Sequence, residues 1–599
     1  MGSLTHARLR RALMLGFGAF LLIALASNVA VAQVRELSPQ ARTQIQALME
    51  EKASRTATEQ KISSQLLMEL RRRQGDPIVL RVPNLRYSVE VAADGTTLVD
   101  IRADVTVTLL NRIRQLGGSV VNSFPQYRAV RARVPIEELV ALAGSSSVDF
   151  IRQADQLMLH KVNTSEGDVA HRADVARTQL GIDGTGAKVC AISDSIDSLA
   201  ALQASGDLPP VVDVLPGQSG NPGSSEGTAM LEIIYDLAPG ADLGFATAFG
   251  GEAQFAQNIL DLRSSAGCDV IVDDVSYFAE AVFQDGIIAQ AVETVVADGA
   301  FYFSSAGNSG NLNDSTSGVW EGDFVPGADL GSMGISHDFG GGNLNPMTAD
   351  APSVITLQWS DPMGGSNNDY DLYVVDPAGT TILAFSDNAQ TGTQDPFEGI
   401  GTSGVNDTGN YLLISKFSGS GRFLHLNTNR GRLIGTSGQT SGHSAAVGAF
   451  SVAAVDIATA SGGAFTGGGT NPVETFSSDG PRRVFYQANG TAITPGNFSS
   501  TGGALRQKPD IAAADGVATA TPGFNPFHGT SAAAPHAAAI VGLAVEVNPN
   551  LTLQQVRSGF VNTSLDIEAA GVDRDSGYGI IDALAFLQSV VSSFRIFIF

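Results

Sequence analysis

Short apolar segments alternate with helix-forming segments twice along the chain, over residues 163–310 and again over 441–592. AKVCAIS, CDVIVDDV and GAFYFSSAG are almost continuously apolar, whereas GTAMLEIIYDLA and DGIIAQAVETVVADG have the spacing of helices. Apolar strands separated by helices indicate an α/β fold with a doubly wound parallel sheet that is covered on both faces. Ligands in such sheets bind at the carboxyl ends of the strands, where this sequence places its polar residues.

Two further regions have different patterns, and a chain of 599 residues is too long for one core. Residues 41–73 lack Gly and Pro and predict one helix or a helical pair. Over 96–154 the signals follow the order β-α-β-β-α-β, which predicts a ferredoxin-like α+β domain. Over 311–440 the helical patterns stop, and short strands with turn signals predict a β-sandwich inserted into the α/β domain.

The N-terminus has the pattern of a secretory signal peptide: the basic segment HARLRR, an apolar run over 12–26, and Ala30-Val31-Ala32. We expect residues 1–32 to be removed by cleavage after Ala32, which leaves a secreted or periplasmic protein without a transmembrane anchor. A membrane anchor is the alternative, but the apolar run is shorter than the ~20 residues that span a bilayer.

Charge is distributed unevenly along the chain. The net charge is −24 in total, but it is +4 over residues 33–162 and −31 over 163–599. Such an acidic body makes a nucleic-acid partner an unfavourable interpretation. It is consistent with a basic leading segment that lies on the acidic remainder.

The two cysteines, Cys190 and Cys268, are too few for a disulfide framework or a multi-cysteine zinc module. Both lie early in predicted strands, so one disulfide and two buried thiols are both compatible with the sequence. Buried thiols are the preferred interpretation.

Three carboxylates of the predicted sandwich, Asp369, Asp371 and Asp376, are candidate calcium ligands. Calcium takes six to eight oxygen donors, whose convergence a sequence does not show. Solvated turn residues are the preferred interpretation. We therefore expect no required cofactor and keep calcium as the alternative.

The most specific string is HGTSAAAPHAAAIVGL, which begins at His528. Ser531 precedes a run of small residues that is typical of a helix packed tightly against a sheet. A serine hydroxyl near a helix N-terminus lies beside main-chain N–H groups that can stabilise an oxyanion. An ordinary N-cap serine is the alternative for this string taken alone.

Five segments resemble motifs of the subtilisin-like serine proteases, the subtilases, and they occur in that family's order. They are LAPGADL (237–243), SSAGN (304–308), KPDIAA (508–513), GTSAAAPH (529–536) and DSGYGIIDALAFL (575–587). The resemblance covers about 170–310 and 440–590. It implies a subtilisin-like peptidase domain over 163–310 and 441–592, with Ser531 as nucleophile and Asn308 completing the oxyanion hole.

The same resemblance assigns roles to the other regions. It implies that residues 33–162 are a propeptide, which acts on its own peptidase domain as intramolecular chaperone and inhibitor. The insertion at 311–440 resembles the pre-peptidase C-terminal type of module. Ser276-Tyr277-Phe278 stands where subtilases line the substrate cleft, so these residues are the predicted substrate-binding wall.

The main departure from the family is the base. Where subtilases carry His-Gly-Thr, this chain has Glu226-Gly227-Thr228, which resembles the carboxylate base of the sedolisins, the acid-active relatives. Sedolisins place a supporting Asp four residues later, where this chain has Met230. They also use an Asp as oxyanion residue, whereas this chain keeps Asn308.

Support for Glu226 must therefore come from elsewhere in the chain. Asp194 is the predicted third member, although it stands one residue later than the family's Asp, which reverses the side-chain direction in a strand. Asp273 and Asp274, at the end of a neighbouring predicted strand, are the reserve candidates. His528 and His536 are the less favoured candidates for the base.

The sequence thus predicts a secreted serine endopeptidase of polypeptide substrates, with Glu226 as general base. Two alternatives remain. One is a pseudoprotease of the same fold that binds polypeptide without cutting it. The other is an extracellular binding protein whose working part is the β insertion.

Overall fold

The structure is a computed structural model that describes residues 36–596 except 88, 156 and 159–164; side chains are not described for 157–158 and 593–596. The predicted signal peptide over 1–32 lies outside the described residues. So does part of the junction between the predicted propeptide and the peptidase domain.

The chain begins with a helical pair and a short third helix. The helices are α1 (Pro39–Ser54), α2 (Ser64–Gln74) and α3 (Ile78–Arg81), with a 3₁₀ turn at Glu59–Lys61. The Ser38 side chain caps α1 by accepting from Ala41 N at 3.2 Å, and Pro39 occupies the first turn, where its missing N–H costs nothing.

A small α+β unit follows, with four antiparallel strands in the spatial order β2-β3-β1-β4. Its elements in chain order are β1 (Thr96–Ala103), α4 (Val107–Gln115), β2 (Ser119–Phe124), β3 (Ala129–Pro135), α5 (Leu139–Ala143) and β4 (Val148–Gln153). Strand β1 alternates between half-buried and buried residues, because one face of the sheet packs on the two helices.

The first half of the α/β domain carries most of a seven-stranded sheet. Its helices are α6 (Gly167–Ala170), α7 (Ala173–Leu180), α8 (Leu199–Ser205), α9 (Glu226–Leu237), α10 (Glu252–Ser264) and α11 (Ile287–Ala297). Its strands are β6 (Lys188–Ser193), β7 (Asp213–Val214), β8 (Asp242–Thr247), β9 (Val270–Asp273) and β11 (Phe301–Ser305). Two short strands, β5 (Leu157–Met158) and β10 (Ser276–Tyr277), pair separately from this sheet.

The inserted region consists of two antiparallel sheets. One has the order β12-β21-β16-β19, and the other has β13-β14-β20-β17-β18 with β15 on β20. The strands are β12 (Val319–Asp323), β13 (Pro326–Asp329), β14 (Ile335–His337), β15 (Asn345–Pro346), β16 (Val354–Trp359), β17 (Asp369–Val375), β18 (Ile382–Ser386), β19 (Phe397–Gly401), β20 (Tyr411–Ser418) and β21 (Phe423–Asn427). Trp359, Tyr370 and Leu424 belong to the core between them.

The chain then returns to the α/β domain. It adds β22 (Ala449–Asp456), a β23–β24 hairpin (Arg482–Val484 with Ala504–Arg506), β25 (Ile511–Asp515), α12 (Thr530–Val547), α13 (Leu553–Thr563) and α14 (Ala583–Ile596). The large sheet has the order β25-β22-β11-β9-β6-β8-β7, and every pair is parallel. The predicted parallel sheet covered by helices is confirmed.

Helix α12 lies in the centre of this domain. Its run of alanines brings the helix close to the sheet, and a Cβ on Gly542 would lie 2.8 Å from Val189 Cγ2. Among the described residues it is also the one helix long and apolar enough to cross a membrane, yet most of it is buried inside the fold. The same composition suits a helix packed on all sides in a core.

On the other side of the sheet, Cys190 of β6 and Cys268 before β9 form a disulfide, with a Cα–Cα separation of 6.0 Å. The preferred interpretation of two buried thiols is therefore wrong. The sequence did not show that the two strands are neighbours in parallel register, which is what brings the sulfur atoms together.

Helix α1 and the inserted sandwich share one hydrophobic core. Ile45 and Leu48 of the helix pack with Tyr373 and Ile382 of the sandwich. Beside this core, Lys52 Nζ lies 2.9 Å from Asp369 Oδ1 and 2.8 Å from Asp371 Oδ1. The three side chains are at most 6% exposed, so the interpretation of these two aspartates as solvated turn residues is wrong.

Asp376 differs from those two aspartates. Its Oδ1 accepts from Thr380 N at 2.7 Å and Thr381 N at 2.9 Å, which stabilises a turn after β17.

Further ion pairs join the basic leading segment to the acidic remainder: Arg55–Asp387, Arg86–Asp407, Arg102–Asp395 and Arg152–Glu252. The charge step in the sequence thus corresponds to contacts in the fold.

Candidate active site

Ser531 is the second residue of α12 and is fully buried. Gly529 precedes the helix with φ 118°, a value that favours glycine, and its N–H donates to Asp515 Oδ2 at 2.8 Å. The carboxyl end of β25 therefore fixes the start of the helix that carries Ser531. Among the described residues, none forms a hydrogen bond of standard geometry with Ser531 Oγ.

The Asn308 side chain lies beside the start of α12, after strand β11. Its Oδ1 accepts from Thr530 N at 3.0 Å and from Thr530 Oγ1 at 2.8 Å, while Thr530 Oγ1 accepts from Gly307 N at 3.1 Å. These donors fix the orientation of the amide, so Nδ2 must be the donor on the opposite side. With the first free N–H groups of α12, this arrangement can stabilise a developing negative charge.

Glu226 is the first residue of α9 and is fully buried. Gly227, which follows it, allows close contact: a Cβ there would collide with the Phe245 ring and lie 2.8 Å from Ser195 O. The helix can therefore begin at Glu226 only because the next residue lacks a side chain.

Asp194 follows strand β6, and its carboxylate accepts main-chain N–H groups at the start of α9. Oδ1 accepts from Glu226 N at 2.9 Å and from Gly227 N at 3.4 Å, and Oδ2 accepts from Ser224 N. A carboxylate in this place satisfies free helix donors and interacts favourably with the helix dipole. In the structure Asp194 thus holds the main chain at Glu226.

Of the two reserve candidates, Asp274 is the one beside Ser531. Burial raises the pKa of the Asp274 carboxyl well above its usual range, and the charges of Asp194 and Asp273 add to the rise. The nearby hydroxyls of Ser193 and Ser531 oppose this rise, because they favour the charged carboxylate. Sequence analysis did not single out Ser193, because a serine at a strand end has no distinguishing pattern.

Asp273 points to a different group. Its Oδ1 accepts from Ser304 Oγ at 3.0 Å and lies 3.0 Å from His443 Nε2, whose other ring nitrogen lies 2.8 Å from Glu280 Oε2. Burial lowers the pKa of His443, but the two carboxylates outweigh this effect and raise that pKa well above its usual range. Sequence analysis missed His443, which occurs in no recognisable motif.

The predicted substrate-binding wall pairs with another part of the chain. Strand β10 forms an antiparallel ladder with β5, in which Ser276 faces Met158 and Tyr277 faces Leu157. The Tyr277 hydroxyl points into the fold, where it accepts from Gly251 N at 2.9 Å, and Phe278 is 8% exposed. The main chain of β10, rather than the Tyr277 side chain, faces the paired segment.

Neither candidate histidine forms a hydrogen bond with Ser531 Oγ in the described chain. His536 is buried, its Nδ1 lies 2.7 Å from Ala532 O, and burial lowers its pKa to about 3. His528 Nδ1 lies 3.7 Å from Asp515 Oδ2. Met230, where the sedolisins carry Asp, is fully buried in α9.

Residues 408–579, which include Asp515 and Ser531, match the model of the subtilase family, Peptidase_S8. Fervidolysin from Fervidobacterium pennivorans is 37% identical over 65 residues, 11% of this chain and 9% of that protein. The chain thus spans 9% of the length of the curated relative that it matches.

Two solved structures are similar to this chain over larger parts. The CspB protease of Clostridium perfringens has a TM-score of 0.44 at 15% identity and covers 70% of this chain and 99% of that one. The structure of fervidolysin, described as a keratinolytic enzyme related to subtilisin, has a TM-score of 0.37 at 15% identity. It covers 84% of this chain and 62% of that one.

Proposed function

We propose that this protein is a secreted serine endopeptidase of the subtilase type, with Ser531 as nucleophile and Glu226 as general base. The observation that carries the proposal is the β5–β10 ladder, which begins two residues after Asp274, the carboxyl beside Ser531. An extended segment added to a strand in this way is a common mode of peptide binding. A polypeptide main chain therefore has a place to bind next to the candidate nucleophile.

In the proposed reaction, Ser531 Oγ bonds to the scissile carbonyl carbon and its proton passes to the Glu226 carboxylate. The carbonyl oxygen becomes an oxyanion, which receives hydrogen bonds from Asn308 Nδ2 and Ser531 N. When the C–N bond breaks, Glu226 returns the proton to the leaving amine. A water molecule then hydrolyses the acyl-enzyme by the same route.

Two carboxyls assist in this proposal without taking the proton. Asp194 positions Glu226 through the main chain of α9. Asp274 lies beside the Ser531 hydroxyl, and its raised pKa favours the neutral form, which leaves the site with less negative charge against the developing oxyanion. The proposal thus keeps a sedolisin-like Glu as base, but the residues that support this Glu differ from the Asp that sedolisins place four positions later.

We further propose that residues 33–162 act as a propeptide, and that the chain is exported. Strand β5, near the end of that segment, occupies the predicted substrate wall, which supports an inhibitory role. The Cys190–Cys268 disulfide supports an oxidising compartment, because such bonds are rare in the cytosol. Calcium and other cofactors have no role in the proposed reaction.

The proposal is tested by incubating the purified full chain and following its fragments by mass spectrometry. We expect a cut between Met158, which ends β5, and Ser165, whose N–H donates to Ala518 O within the α/β domain. A chain that remains intact and binds unfolded polypeptide, without cutting it, would instead support a pseudoprotease. Peptide binding by the 311–440 region alone would support the binding-protein alternative.

Replacement of Asn308 by alanine should act on the transition state. We expect kcat to fall by about 10²–10³ with little change in KM, which is the magnitude measured in subtilisin for removal of one oxyanion donor. The variant also loses the acceptor for Thr530, so Asn308→Asp, which keeps an oxygen there, is the matched control for structure. Unaltered turnover in Asn308→Ala would place Asn308 outside the oxyanion hole.

A further inference from the structure

Three potential metal ligands converge near the carboxyl end of β25. They are Glu474, Asp515 and His528, and one ligand atom from each lies within 4.8 Å of the other two. This is the one such group of three among the described residues. His528 stands directly before Gly529, so the group adjoins the start of α12 without including Ser531.

Negative charge at this place is not balanced by basic residues. Asp456, at the end of β22, lies close by, since its Oδ1 and the His528 ring would both lie 3.0 Å from a Cβ on Gly516. Within the described chain, no Lys or Arg forms an ion pair with Asp456, Glu474 or Asp515. Three carboxylates therefore surround one imidazole.

Asp515 supplies a second, independent observation. Its side chain is fully buried, and Oδ2 accepts from Gly529 N at 2.8 Å. Oδ1 has no hydrogen-bond partner among the described residues. A buried carboxylate oxygen without a partner is costly, and a bound cation is one of the few groups that can satisfy it.

We propose that Glu474, Asp515 and His528 bind a divalent transition-metal ion such as Zn²⁺, through one imidazole nitrogen and two carboxylates. A ligand set of one nitrogen and two carboxylates suits zinc, with water as fourth ligand, whereas calcium requires six to eight oxygens. The His528 side chain is 44% exposed, so its ring has room to move closer to the two carboxylates when an ion binds. The ion would join β25 to the segment that leads into α12.

This inference does not depend on the proposed catalysis, because it concerns binding and stability. An ion that binds the folded chain alone stabilises it by mass action. It would also hold the loop between β25 and α12, which carries Gly529. The expected phenotype of metal removal is therefore a lower Tm.

Cobalt provides a direct test, since Co²⁺ occupies zinc sites and has visible absorption that reports its ligands. We expect the chelator-treated full chain to bind one Co²⁺ per chain, with Zn²⁺ but not Ca²⁺ displacing it. His528→Ala and Glu474→Gln should each weaken binding at least about tenfold. Asp456→Asn is the matched control: it removes a neighbouring charge but not a ligand, and its affinity should stay within about threefold.

Several results would overturn the inference. One is a Co²⁺ affinity in His528→Ala equal to that of the wild type, and another is displacement of Co²⁺ by equimolar Ca²⁺. A third is an equal loss of Co²⁺ affinity in Asp456→Asn and Glu474→Gln, which would mean that the ion is attracted by the general negative charge. Circular dichroism of the metal-free variants establishes that each is folded. If His528→Ala does not fold, Glu474→Gln alone decides.

Discussion

Replacing Ser531 by alanine should leave the full chain uncut and without peptidase activity. The Oγ atom is the only protein atom of the proposed mechanism that bonds to the substrate carbon, so its loss removes the covalent route. We expect turnover to fall by about 10⁴–10⁶, as is general when a serine nucleophile is removed. The measurement is the rate of appearance of the fragment that ends between residues 158 and 165, together with hydrolysis of a peptide library.

A buried serine far from the site provides the control. Ser336 in the sandwich is fully buried, and its Oγ donates to Ala328 O at 3.2 Å. Ser336→Ala should cost about 1 kcal/mol of stability and leave cutting intact. If Ser531→Ala behaves like Ser336→Ala, then Ser531 is an ordinary residue of the helix N-terminus and the nucleophile assignment fails.

Replacing Glu226 by glutamine should lower kcat/KM by about 10³ or more, because the amide keeps the shape of the side chain but cannot accept the proton. A histidine base, with a pKa near 6.5, loses activity below neutral pH, whereas a carboxylate, near 4.3 when unperturbed, stays ionised in acid. We therefore expect wild-type activity to persist at pH ~4–5. The measurement is kcat/KM against pH for both proteins.

Glu232 offers a matched control on the same helix. It is buried, and its carboxylate accepts from Ala520 N at 2.7 Å and Thr521 N at 3.0 Å, so it has a structural role. Glu232→Gln should keep the acid limb of the pH profile where the wild type has it, and its turnover should stay within about tenfold of the wild-type value. An acid limb near pH 6.5, or wild-type turnover in Glu226→Gln, would assign the base to another group.

Asp274→Asn separates the contribution of Asp274 from that of the proposed base, Glu226. Because burial favours the neutral form of Asp274, an amide resembles the working state, and we expect a much smaller loss than in Glu226→Gln. A loss as large as that of Glu226→Gln would show that Asp274 ionises during the reaction. The role proposed for it would then be wrong.

The sequence predicted what depends on local pattern. Apolar runs and helix signals were sufficient for the parallel sheet, and the GTSAAAPH and SSAGN segments indicated that Ser531 and Asn308 belong to one site. The structure brings both to the start of α12. The catalytic roles of Ser531, Glu226 and Asn308 stay predictions.

What the sequence did not predict depends on contacts between distant residues. Asp273 and Asp274 are adjacent, and neighbouring side chains in a strand point to opposite sides, so only the fold distinguishes the one beside Ser531. The pairing of Lys52 with Asp369 and Asp371 joins positions more than 300 residues apart. No periodicity reports such a pairing, and the aspartates were interpreted as solvated for that reason.

The core that α1 shares with the sandwich determines what a single cut would release. Separating the helix would expose Ile45 and Leu48 with their apolar partners. It would also remove Lys52, the cation that pairs with Asp369 and Asp371. A chain cut between residues 158 and 165 should therefore remain a two-chain molecule. Cutting alone would therefore leave this segment bound as a non-covalent partner, and relief of inhibition would need a further step that releases it.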